Sequence, residues 1–352
     1  MSYLRLGWIT RTIALGFRRD GTPNWPWLSW IIAFGSLQAA FVVVATYLDN
    51  SWYLQSPNKG LFQHYGACAL LITDPLLLVS ASYAYRRFRI ALSTLPLCDP
   101  ERDRSRARAI ARPYLEFLHL KGRARYAYLL FVTVGILAWA NNIYETANPK
   151  IYFKHDVFDS TTFHFGYYVY KTVLFDSWVI IYPIVGFLLL LMCFFIRLFL
   201  IKLRLRQMIC PNVLHPDGSY GLSNLGTLNI CLLTPYLLTF TVIFGVIFTH
   251  EAAYASLIVP LFVFSILFIV VSFITIKPVL DQAKEIKRLT YKRLVRRSYS
   301  RYVDLSEQLA FGIERLSYAL SNGSPYSQGG RILLLLMRAG PVVLTTTRFL
   351  LS

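Results

Sequence analysis

Three observations predict an all-α membrane protein: a bundle of about six transmembrane helices, some kinked, with a basic helical cytosolic region and both termini in the cytosol. The 352 residues are 55% hydrophobic and only 15% charged, too apolar for an ordinary soluble domain. The apolar residues come in blocks long enough to span a bilayer, about 18 or more residues, instead of amphipathic stripes. The charges are distributed unevenly. With the N-terminus inside, 32 of the 36 Lys and Arg fall on the cytosolic side, leaving only Lys59, Lys150, Lys154 and Lys171 outside. That bias is what the positive-inside rule requires of an even number of spans.

Residues 1–24 read as an amphipathic segment on the cytosolic membrane surface, with Leu4, Trp8, Ile9, Ile13 and Phe17 on its buried face. Arg5 and Arg11 interrupt the apolar run, so no cleavable signal peptide is expected. The transmembrane domain covers 25–276, with spans at 25–48, 62–85, 126–144, 177–196, 227–249 and 253–276. Cytosolic loops fall at 86–125 and 202–226. The outer loop at 145–176 is rich in aromatic residues, as an interfacial belt would be. Residues 277–352 form a cytosolic helical region. Its stripe of Tyr291, Val295, Tyr299, Tyr302, Ser306, Leu309, Ile313, Leu316 and Leu320 has helical spacing. The stripe would pack against the 86–125 loop or join subunits of a homo-oligomer through 291–320.

Among the five cysteines, Cys68, Cys193 and Cys231 fall in spans, and Cys98 and Cys210 in cytosolic loops. No disulfide is expected of them, since the cytosol is reducing. His155, His164, Asp156 and Asp159 share the outer loop but lack any closed ligand set, so neither a metal nor another cofactor is expected.

The most informative residue is Asp74, near the middle of the second span. A carboxylate at that depth costs about 2.5–3.5 kcal/mol on insertion scales and is seldom kept without a role. Thr73 and Pro75 flank it, and the proline frees a backbone carbonyl beside the carboxylate. Pro235 interrupts the fifth span in a similar way. Residues 70–77 faintly echo residues 231–238, the pattern that inverted repeats would leave. Asp74, Thr73, Pro75 and Pro235 are therefore the expected pathway residues. The alternative is a structural lock, in which Asp74 hydrogen-bonds a neighbouring helix.

A second candidate site lies in the cytosolic loop preceding the fifth span, where His215 and Asp217 sit close together and Gly218 and Gly221 signal tight turns. A third is the run Arg102, Arg104, Arg106, Arg108 and Arg112. Beside a membrane, its natural partner is the bilayer's anionic headgroups or another phosphate-bearing ligand. Nucleic acid is disfavoured, because no recognition fold accompanies the charge.

The function these features predict is an ion channel or transporter in a bacterial inner membrane or its equivalent, with Asp74 on the pathway and a basic cytosolic gating face. Two other classes compete. One is a membrane-anchored effector whose cytosolic face binds a partner. The other is a lipid-modifying enzyme using His215 and Asp217.

Overall fold

A computed structural model describes residues 15–16, 22–53, 60–63, 65–118, 123–147, 169, 172–210 and 221–249, with single positions at 277, 281, 284, 285, 288, 292 and 339. The regular elements over these residues are helical. They are α1 (Trp25–Leu48), α2 (Tyr65–Ser93), α3 (Pro100–Leu118) and α4 (Arg123–Ala147), then a π-helical segment (Asp176–Ile181) running directly into α5 (Tyr182–Leu205), and α6 (Ser223–Thr249). Among the described residues, four stretches, Trp25–Leu48, Tyr65–Ser93, Thr172–Leu205 and Ser223–Val242, are long and apolar enough to cross a membrane. Arg125–Leu137 is a shorter apolar helix. The expected span at 253–276 and the stripe at 291–320 lie outside the described residues.

The surface agrees with a bilayer. α1 turns Trp30, Phe34, Leu37 and Phe41 outward, and α4 does the same with Leu130 and Val134. An apolar face of that extent suits hydrocarbon, not water. α1 begins with a proline in its first turn. It ends where Asn50 takes a left-handed conformation (φ 59°), and the N–H groups of Asp49 and Ser51 close on the carbonyls of Ala45 and Thr46.

α2 and α6 run antiparallel. At one end Asn224 Nδ2 donates to Thr94 Oγ1 at 3.0 Å. At the other, Gly245 lies so close to Gly66 that a Cβ would come within 2.9 Å of the Gly66 backbone nitrogen. The main core gathers α2, α3, α5 and α6 around Phe88, Leu188, Met192, Phe195, Phe199 and Leu232. Phe195 stands edge-on to Phe88 at 5.1 Å.

At the basic end the structure departs from the sequence reading twice. Residues 86–125 do not form a loop throughout, because α2 continues to Ser93 and α3 fills 100–118. α3 starts there because Asp99 Oδ1 accepts the N–H groups of Glu101 and Arg102, Pro100 follows the cap, and Asp103 accepts the Asp99 N–H at 3.1 Å. Its Ala107, Ile110 and Ala111 recur at helical spacing and face the core.

The second departure concerns the cysteines, none of which was expected to pair. Cys98 is joined to Cys210, 112 residues away, with Cα atoms 4.9 Å apart. The physical reason is tertiary. An antiparallel bridge between Leu97 and Ile209 lays the two connections side by side, with Cys98 N–H donating to Met208 O and Cys210 N–H to Pro96 O. Gln207, left-handed at φ 54°, turns the chain out of α5 to make this pairing. In a reducing compartment these backbone bonds would still hold the connections together after the sulfurs separate.

Candidate functional site

Asp74 is the tenth residue of α2 and is only 1% exposed. At 1.5 Å per residue it lies about 14 Å from the helix start, a length about half that of a hydrocarbon layer about 30 Å thick. The helix runs through Pro75, whose missing N–H leaves the Leu71 carbonyl without its helical donor. The proline ring is seated on α1 at Gly35, where a Cβ would come 2.6 Å from Pro75 Cγ. Only glycine lets α1 approach this closely. That approach brings Gln38, one turn further along α1, to the same level.

The partner of Asp74 comes from the π-helical segment. Ser177, itself fully buried, places its Oγ in hydrogen-bond contact with Asp74 Oδ2 and also bonds the Val173 carbonyl at 2.8 Å. Next to it, Asp176 is half-buried and accepts a hydrogen bond from Gln38 Nε2 at 2.9 Å. Asp176 lies within electrostatic reach of Asp74. Tyr182, at the start of α5, lies within electrostatic reach of Asp74 and close to Thr239 of α6. Two carboxylates, one amide and three hydroxyls thus converge from α1, α2, the π segment, α5 and α6. Asp74 Oδ1 is buried and has no hydrogen-bond partner among the described residues.

A cavity of about 260 Å³ lies between α1 and α2. Its walls include Trp27, Trp30 and Phe34, and it reaches Gly35, Gln38 and Pro75. It is therefore an aromatic recess that touches the polar cluster at Gln38, with Pro75 but not Asp74 in its wall.

Of the expected pathway residues, Asp74 and Pro75 belong to this cluster. Thr73 is buried but turns its hydroxyl back to its own helix, to the Leu70 carbonyl at 3.4 Å. Pro235 is buried in α6, and its carbonyl accepts the Thr239 hydroxyl at 3.0 Å, one step from Tyr182. His215, Asp217 and Gly218 lie outside the described residues. Gly221, with φ 78°, makes the left-handed turn into α6. Arg102, Arg104, Arg106, Arg108 and Arg112 are exposed along α3, away from Asp74 in the sequence and the fold. The sequence reading missed Gln38, Asp176, Ser177, Tyr182 and Thr239. The adjacent Asp176–Ser177 pair was the available signal, since a carboxylate and a hydroxyl side by side at the head of an apolar run can serve a buried site.

Comparison of the chain with family models, with characterised proteins and with solved structures finds no match. The functional reading rests on the geometry.

Proposed function

We propose that the protein is a multi-pass channel or transporter for a cation, with Asp74 on the pathway, in a bacterial inner membrane or equivalent. It has six spans and both ends in the cytosol. One observation carries the reading: a fully buried carboxylate inside an apolar helix, with a second carboxylate within electrostatic reach and one oxygen that no described group satisfies. A buried acceptor of that kind carries an unmet electrostatic demand. A small cation at Oδ1 would meet it, and a proton on the carboxyl would remove the charge that makes it costly.

Hydrogen-bond counting favours the proton. The Ser177 hydroxyl has one hydrogen but contacts two acceptors, Asp74 Oδ2 and the Val173 carbonyl. Both contacts are satisfied together when Asp74 is the neutral acid, donating to Ser177 Oγ while Ser177 donates to Val173. Releasing that proton would leave two carboxylates in a low-dielectric site, where the charge acts on everything near it. Two helices with an interior proline, α2 with Pro75 and α6 with Pro235, meet at the site, and helices interrupted in this way are common at transport sites.

The Ser177 contact itself favours a second reading, in which Asp74 only locks two helices together. Flux separates the two. In proteoliposomes, Asp74→Asn should fold normally yet lose proton or cation flux, because the amide keeps size and hydrogen bonding but cannot carry the charge. Unchanged flux in that variant would leave the lock as the role of Asp74.

A further inference from the structure

We infer that α3 is a docking helix for anionic phospholipid headgroups. This rests on the basic end of the bundle lying at a bilayer surface and is independent of any flux through Asp74. α3 differs around its circumference. Asp103, Ala107, Ile110 and Ala111 are buried. Tyr114 packs edge-on against Phe195 of α5 at 5.9 Å, with Lys202 Nζ 4.9 Å from its ring centre. Two exposed arginine pairs flank that buried face, Arg102 with Arg106 on one side and Arg104 with Arg108 on the other. With the alanine face committed to the core, the helix cannot roll to hide them. No carboxylate among the described residues forms an ion pair with these four.

The height of the helix is set by its neighbours. α2 has 29 residues. At 1.5 Å per residue it is about 43 Å long, against about 30 Å of hydrocarbon. If Tyr65 marks one boundary, the other falls near Arg86, and the last two turns stand clear of the acyl chains. α3 begins beyond that point, held to the Met208 turn through Cys98. By Tyr114 it has come back to Phe195, two residues before Arg197, the first charge after the apolar run of α5. The helix therefore slopes down to the headgroup layer. Its arginines fall within a Debye length of about 8–10 Å of the lipid phosphates. The surroundings add to the attraction, since Arg86, Arg87 and Arg89 end α2 and Lys202, Arg204 and Arg206 end α5. Arginine suits phosphate because its fork donates two parallel hydrogen bonds.

The test uses the full chain in a neutral detergent and three probes: water-soluble dioctanoyl phosphatidylglycerol, dioctanoyl phosphatidylcholine and inorganic phosphate. Phosphatidylglycerol should bind and stabilise the protein, and phosphatidylcholine should do so far less. At about fivefold in affinity per arginine, the combined R102Q, R104Q, R106Q and R108Q variant should lose two orders of magnitude or more for phosphatidylglycerol. The matching four-lysine variant should keep most of the binding. Equal binding of the two lipids would overturn the proposal, as would undiminished phosphatidylglycerol binding by the glutamine variant. Displacement of the lipid by inorganic phosphate at equal concentration would assign the site to a soluble anion and overturn the lipid. Should the glutamine variant fail to fold, wild-type affinity against salt decides. It should fall steeply as salt rises, and salt independence would overturn the proposal.

Discussion

Two carboxylates are buried on successive helices, Asp74 in α2 at 1% exposure and Asp103 in α3 at 7%. Asp103 sits in the first turn of a helix, where the dipole favours negative charge, and accepts the Asp99 N–H. Arginines follow it along the chain. Its carboxylate has a hydrogen-bond donor where it stands. Asp74 has one hydroxyl on Oδ2, nothing among the described residues on Oδ1, and Asp176 within electrostatic reach. Equal burial thus conceals opposite situations. One carboxylate completes a local structure, and the other is left with a demand that the local structure does not meet. Function is sought at the second for that reason.

The harshest way to break the contrast is to displace the ring beside Asp74. Gly35→Leu forces a side chain into the seat of Pro75 and should cost about 1–3 kcal/mol, the usual range for overpacking. Denaturant unfolding of the solubilised protein would measure it. Wild-type stability in that variant would show that α1 does not position Pro75. Next in size, Asp74→Leu removes the interhelical hydrogen bond and should cost about 0.6–2 kcal/mol. Ser177→Ala should cost a similar amount, and the double variant should cost less than the sum of the two, since they share one contact. Full additivity would separate Ser177 from Asp74.

At the other carboxylate the effects are smaller. Asp99→Ala should cost about 1 kcal/mol through the lost cap of α3, with flux unaffected. The smallest stability change sharpens the comparison most. Asp74→Asn and Asp103→Asn should each stay within about 0.5 kcal/mol of wild type. Only Asp74→Asn should alter proton or cation flux. Equal flux in both variants would remove the distinction.

Much of this was readable from the chain alone. The first helix occupies the same residues, 25–48, that the apolar block marks out. Asp74 and Pro75 stood out because a carboxylate and a helix breaker are both costly at that depth. What stayed hidden depends on partners brought together by folding. Asp176 falls at the end of the expected outer loop 145–176, yet the helical stretch begins at Thr172 and Gln38 reaches across from α1 to hold the carboxylate. No local pattern connects residues 38 and 176. Helix α3 was partly legible, in the Asp99–Pro100 start and the spacing of Ala107, Ile110 and Ala111, but its run of arginines drew attention to charge instead. The Cys98–Cys210 bridge failed for a different reason. A rule about compartments was applied where proximity decides.

The six-residue π segment at Asp176–Ile181 has a mechanical consequence. A wide turn holds one residue more than the α-helix would place there. Tightening it would turn the chain before it by about 100° and advance it by about 1.5 Å. α5 would stay wedged against Phe88 and Tyr114. Ser177 and Asp176 would swing off Asp74 and Gln38 together, like the pallet of an escapement leaving its tooth. In a register one residue away, the carboxylate would be released while the body of the bundle stands still.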